Sequence, residues 1–454
     1  MFRRLLKRLP PRVLRLFAAT SIAGAIVLVL ASTVPRTPTL HPTREVVFDN
    51  ERVEVTLTGR IARLNPLFVS DGVIYAMEDH YLYVSDDGGI SFEQRGKLPK
   101  DSLLDKPKDV LARNRITRLL RKSRLVENLV MLPSGTLVIV YDGIYRSSDG
   151  GWTFEAVYKL PSHIEEPFGQ GMAVTPAGEI YFGEYDAVGR PNEITVWKGS
   201  DDGRAWEVVH QFELGDIFHV HSITYDPYRE GLLVATGDRN EENHLYFTND
   251  DFETLTEIGG GSQDWRIVSL LPAENGLYWG SDNDREGADI LKWDFERQRL
   301  EHREFIGTVS YYSTRLSDGT LVVSTAHEPQ SMYAHAHLPQ GVSLWVSRDG
   351  SEWDEIFSLE SSAEPGTDDT ARAQFLLPGG DGSSDFLVFA SHHTAQHDFV
   401  YHRLELRWKS QPATEASAAG PMLSGGPKDR QARQPCAGPA WCRRLAWYRR
   451  PVAR

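Results

Sequence analysis

His219 and His221 flank a single valine, and residues two apart in an extended chain point to the same side. Two imidazoles so placed can share a divalent metal or form a buried hydrogen-bonded pair. More acids and histidines stand where short apolar runs end: Glu78 with Asp79, Asp142, Glu184 with Tyr185, Asp238, Asp282, His327, and His392 with His393. Arg63, Gln263, Arg266, Tyr311 and Tyr312 stand where other runs begin. Brought together, such groups could cleave a glycosidic bond, either by hydrolysis with two carboxylates or by elimination with a base and a cation. They could equally bind a glycan or protein without turnover. The chain has no P-loop, dinucleotide fingerprint or nucleophile elbow, which argues against NTP, NAD and acyl-transfer chemistry and against a nucleotide cofactor.

These positions are far apart in the chain, so a repeating scaffold must gather them. A turn glycine followed by a short apolar run recurs at Gly72, Gly135, Gly178, Gly231, Gly276 and Gly319, and "SSDFLVFASHH" from 383 keeps the run after a Gly-rich turn. Spacings of 43 to 63 residues suit a propeller blade of four strands. The sequence predicts an all-β, seven-bladed β-propeller with four-stranded antiparallel blades, six blades being the alternative. "EVVFDNERVEVTL" near the N-terminus is a strand with no blade, and the last blade lacks a clear fourth strand. Pairing the two would close the ring and leave no open edge.

A second signal follows each run. "RSSDGGWTF" (146–154) and "YLYVSDDGGISF" fit S-x-D-x-G-x-x-[W/F], while "VWKGSDDGRAW" and "LWVSRDGSEW" share a form one residue shorter. "LYFTNDDFETL" is a degenerate copy, and "ILKWDFERQRL" and "FVYHRLEL" have lost the motif. Ser85, Asp87, Ser147, Asp149, Ser200, Asp202, Ser347 and Asp349 are the residues that would hold the box turns by side-chain to backbone bonds. On these motifs residues 50–408 resemble the Asp-box (BNR repeat) β-propeller superfamily, which includes sialidases.

In a blade the box lies between the third and fourth strands, on the face opposite the ends of the second strands. The box is therefore architecture, and the chemistry belongs to the other face. The candidate catalytic set there is Glu184, His219, Arg266 and His327; the candidate ligand-binding set is Arg63, Tyr185, His221, Asp238, Gln263, Asp282 and His392. The resemblance to sialidases implies three arginines on a substrate carboxylate, a Tyr–Glu nucleophile pair and an acid. The nearest text to the first arginine motif is "ARLNP" at Arg63, and Arg315 lies at the wrong end of its strand, so a sialidase site is not expected. Seven-bladed polysaccharide lyases with histidine-rich funnels are a looser likeness in residue types. That likeness implies Arg266 on a uronate carboxylate and His219 or His327 as base. A divalent metal in the histidine-rich funnel is compatible with these residues, though no ligand spacing fixes it.

Charge and hydropathy narrow the partners. Residues 1–40 carry +7, 409–454 carry +7, and the body 41–408 carries −28 within a total of −14. So acidic a body disfavours nucleic acid. Residues 16–34 are 19 uncharged residues after a basic flank (1–15), roughly 28 Å of helix. They predict a transmembrane signal anchor with the body in the periplasm or extracellular space. A linker (35–45), the propeller (46–408) and a disordered basic tail (409–454) follow. Cys436 and Cys442 both lie in that tail, so the body has no disulfide. The first reading is thus a membrane-tethered propeller that binds a glycan or protein ligand. The alternative is a carbohydrate-active enzyme, a lyase or a glycoside hydrolase, built on the same funnel.

Overall fold

The computed structural model describes residues 36–99, 126–161, 164, 166–185, 193–328, 339–362 and 372–409. The predicted anchor (16–34), residues 100–125 and 329–338, and the tail from 410 onward lie outside the described residues. No helix among the described residues is long and apolar enough to cross a membrane. Among the described residues a short 3₁₀ turn, Gln263–Trp265, interrupts otherwise all-β structure.

Four of the sheets are up-and-down meanders of four antiparallel strands, such as Val220–Asp226, Gly231–Thr236, His244–Thr248 and Thr256–Gly260. A fifth has the same four strands (Asn65–Ser70 to Glu93–Lys97) with the two-residue strand Gly379–Gly380 added in parallel. These are four-stranded blades in a propeller-like arrangement. The remaining strands form one nine-stranded sheet, in which Leu321–His327 meets Ala373–Leu376 through only two residue pairs, Ala326 with Gln374 and His327 with Ala373.

Burial follows strand position. Second strands such as Leu321–His327 and Gly231–Thr236 are buried at every residue, which is why they read as unbroken apolar runs. Val53–Ala62 alternates buried and half-buried residues, and it pairs with Val400–Trp408 from Val53–Trp408 through Ala62–Val400. The orphan N-terminal strand therefore pairs with the last strand of the chain. Its hairpin partner begins at His41 and so takes in residues that the sequence reading gave to the linker.

The box turns are held much as their composition suggests. Ser147 Oγ donates to Asp149 at 2.8 Å and accepts from Gly151 N at 2.9 Å, while Asp149 accepts from Thr153 N and Oγ1 at 3.0 and 2.6 Å. Those bonds to the charged form hold the Asp149 carboxyl down to about 2. Ser85 and Asp87 repeat the pattern, and Ser347 and Asp349 hold the shorter turn. Gly151 has a positive φ of 91°, and a Cβ there would come within 2.2 Å of Leu82 on the neighbouring blade. Glycine is required both by the turn and by that contact.

Two boxes depart from expectation. Asp202 does not close its own turn; its carboxylate takes Thr136 Oγ1 at 2.9 Å, Ser134 Oγ at 2.5 Å and the Arg146 guanidinium, all from the preceding blade. In the shorter turn Ser200 is left with a backbone bond, its carbonyl accepting from Gly203 N at 3.0 Å. The degenerate copy, by contrast, is intact in geometry. Thr248 stands for serine, donating to Asp250 at 2.9 Å, and Asp250 accepts from Thr254 N and Oγ1 at 3.0 and 2.6 Å.

Candidate functional site

His219 precedes the strand Val220–Asp226, whose register slips between Val220 and Ser222, so His221 sits on a bulge. A bulge re-aims a side chain, here toward the end of the second strand. Backbone bonds fix the bulge, with Gly237 N donating to His219 O at 3.2 Å and Val220 N to Glu184 O at 3.0 Å. Asp238 follows Gly237, and its Oδ1 lies 3.6 Å from His219 Nε2 and 3.3 Å from His221 Nε2. One donor atom from each of the three residues falls within 4.8 Å of the others.

Arg266 reaches the same carboxylate from the next blade. Its Nη2 and Nε lie 3.0 and 3.1 Å from Asp238 Oδ1, its Nε is 3.0 Å from Asp282 Oδ2, and its Nη1 is 3.3 Å from Asp284 Oδ1. Asp282 N donates to Arg266 O at 2.9 Å, so the two side chains start from adjacent backbone. Gln263 ties the pieces together by donating to Asp238 O at 3.1 Å and Asn240 Oδ1 at 2.9 Å.

Burial makes these charges consequential. It would raise the Asp238 carboxyl, but the His219 and His221 imidazoles beside it and the charge of Arg266 overcome it and hold the carboxyl well below its usual range. Asp282 goes the other way: full burial pushes it well up against the pull of Arg266, with Glu328, Asp238 and Asp284 adding to the push. Its Oδ1 is buried with no hydrogen-bond partner. Burial, with His219 beside it, lowers the His221 imidazole to about 4, so it is neutral at pH 7.

An aromatic wall adjoins the cluster. Tyr185 stacks on His219 with centroids 4.2 Å apart, and Phe168 touches Tyr185, Tyr311 and Tyr312 at 5.9, 5.2 and 5.7 Å. Tyr311 also sits on a bulge and donates to Glu328, whose Oε1 takes Arg372 Nε at 3.1 Å. Behind the wall, Gln170 donates to Leu377 O at 2.9 Å and accepts from Ser313 N at 3.2 Å, bridging separate strands. A separate cavity of about 620 Å³ is lined by Gln170 and by first strands of the blades, but not by Asp238, Arg266 or either histidine.

The structure therefore gathers His219, His221, Arg266, Tyr185, Gln263, Asp238 and Asp282 in one place. It does not bring the rest of the expected ring there. Glu184 turns into its own blade, accepting from Thr195 and from Trp197 Nε1 at 3.1 Å. His392 is buried against Asn65 Oδ1 at 2.7 Å and Phe399. Arg63 is exposed in a turn of positive φ. His327 is buried at its strand end, its Nδ1 without a hydrogen-bond partner. Glu78 pairs with Arg36 at 2.6 Å. Sequence reasoning missed Asp284, Glu328 and Arg372. Arg372 had a signal, as the lone Lys or Arg between 349 and 402.

The donor set suits a divalent transition metal: two imidazoles and a carboxylate are a recurrent combination. Charge agrees, because the carboxyls of Asp238, Asp282 and Asp284 share one guanidinium, so acids outnumber the cation even with Asp282 protonated. No family model matches the chain, and no curated protein matches it in sequence. Among solved structures it is similar to an oligogalacturonate lyase in complex with manganese, with TM-score 0.51 and 13% identity over 82% of this chain and 97% of that one. An oligogalacturonate lyase from Vibrio parahaemolyticus gives 0.50 and 11%, over 81% and 98%. At these identities the likeness is one of fold: this chain has a propeller fold.

Proposed function

We propose that this chain is a saccharide-cleaving enzyme of the polysaccharide lyase kind, carried on a seven-bladed Asp-box propeller. In this reading the nine-stranded sheet counts as two blades, and the Val53–Ala62 strand closes the ring against Val400–Trp408. The observation that carries the enzymatic reading is the His219, His221, Asp238 triad beside Arg266 and Asp282. His219, His221 and Asp238 would hold a divalent cation, which when bound supplies positive charge against a substrate oxyanion. The fold shared with a manganese-bound oligogalacturonate lyase supports this over a ligand-binding propeller without turnover.

In elimination a base removes the proton beside the sugar carboxylate, the C4–O bond breaks, a C4=C5 double bond forms, and an acid protonates the leaving oxygen. Asp282 suits the acid, because burial favours its protonated form. The Tyr185 ring gives a sugar an apolar face to rest on. A hydrolase is the second reading, and one observation favours it: Asp238 and Asp282 are neighbouring carboxyls pushed in opposite directions.

We further propose that residues 16–34 tether the body outside the cytoplasm, with a glycan rather than nucleic acid as partner. The test is incubation of the full chain with neutral, uronic and sialylated glycans. Reducing ends accompanied by unsaturated-uronate absorbance support the lyase, and reducing ends alone support the hydrolase. Silence on every glycan, with ligand binding intact, would return the protein to the class of binding propellers.

A further inference from the structure

Arg266 cannot also grip a ligand, because its Nε and both terminal nitrogens already lie within 3.3 Å of three carboxylates. Arg372 is different. It immediately precedes the strand Ala373–Leu376 and uses only Nε, 3.1 Å from Glu328 Oε1. Its Nη1 and Nη2 have no hydrogen-bond or ion-pair partner among the described residues, and the side chain is 38% exposed.

Its surroundings set the guanidinium beside the cluster. The guanidinium carbon is 5.4 Å from the centroid of the Tyr311 ring, and Glu328, which holds Nε, is itself held by the Tyr311 hydroxyl. Arg372 is also close enough for its charge to act on Tyr185 and Asp282. Tyr185 in turn lies on His219. An arginine anchored through Nε offers two parallel N–H groups, the geometry that a carboxylate accepts in bidentate fashion.

We propose that Arg372 is the anion-recognition residue of this site, gripping the carboxylate of an acidic sugar unit beside the His219, His221, Asp238 triad. The inference rests on the saccharide reading above and deepens it: the substrate class is a uronate-containing glycan, and Arg372 sets that specificity. An acidic body of net charge −28 makes a dedicated cation necessary, since an anionic ligand would otherwise be repelled.

Titration calorimetry of the full chain tests this, using a galacturonate trimer and its methyl ester as probes, with Mn²⁺ present. Wild type is expected to favour the free acid. R372Q should weaken acid binding on the order of 10- to 100-fold, the scale of a hydrogen-bonded charge pair, and leave the ester within about twofold. R372K, which keeps charge without the fork, should fall between. E328Q should keep the preference for the acid. Unchanged Mn²⁺ affinity in each variant shows that the fold is intact. An R372Q protein that still prefers the acid as wild type does, or a wild type that does not discriminate, overturns the proposal. Discrimination through Arg372 without cleavage of any glycan would uphold it and sink the enzymatic reading instead. The same pair of probes made from glucuronate tells which acidic sugar is preferred.

Discussion

Asp238 and Asp282 meet at one nitrogen: Arg266 Nε lies 3.1 Å from Asp238 Oδ1 and 3.0 Å from Asp282 Oδ2. Asp284 is 3.3 Å from the same guanidinium. Removing that cation leaves three carboxylates facing one another, two of them in largely buried surroundings. R266M should therefore lose about 3–5 kcal/mol of stability, the cost of breaking a buried charge group. Urea denaturation measures it, and added Mn²⁺ should restore part of the loss. A loss under about 1 kcal/mol would mean that solvent already screens the cluster.

Asp282 should act as a proton donor, and asparagine cannot replace it in that role. D282N is expected to lower kcat by about 10²- to 10⁴-fold with little change in KM. Because the raised Asp282 must stay protonated, wild-type kcat should fall as pH rises through its pKa, and that limb should vanish in D282N. A variant with wild-type kcat removes Asp282 from the mechanism.

His402 makes the fold sensitive to acid. Its ring is fully buried, stacked on Phe389 at 4.7 Å and bonded to Ser391 Oγ at 2.9 Å; burial, then Arg60 and His397, lower it to about 3. The unfolded chain binds a proton below about pH 6.5 that the fold refuses until about pH 3. Stability should thus fall as pH drops through that window, by at most ~1.4 kcal/mol per pH unit from this residue. H402F should flatten the slope in denaturation midpoints between pH 6.5 and 4. An unchanged slope would place the acid sensitivity elsewhere.

The box turns separate into two kinds that mutation should distinguish. T248A removes two turn bonds, the donation to Asp250 and the acceptance from Phe252 N, and should cost about 1 kcal/mol. D202A strips the buried Arg146 of an interblade partner and should cost about 1–3 kcal/mol. Thermal melts of both give the order, and neither should alter Mn²⁺ binding. A T248A loss larger than that of D202A would contradict the assignment.

Much of the blade pattern was legible because each buried second strand is an apolar run behind a turn glycine. The meeting of Val53–Ala62 with Val400–Trp408 was legible as well, since one strand lacked a blade and the last blade lacked a strand. The site was less so. Strand ends could be read, but not which way each side chain leaves: Glu184 and Tyr185 are neighbours, and only Tyr185 reaches the cluster. Bulges at His221 and Tyr311 change direction without a mark in the sequence. In the degenerate copy "LYFTNDDFETL" the Thr248 hydroxyl bonds as a box serine does.

The most direct test of the central claim is the cation dependence of uronate cleavage by the full chain. Absorbance of the unsaturated product would be followed after chelation and again after Mn²⁺ is restored, with D238N in parallel. Loss on chelation, recovery with Mn²⁺ and no recovery in D238N are expected. Cleavage that survives chelation and persists in D238N would contradict it.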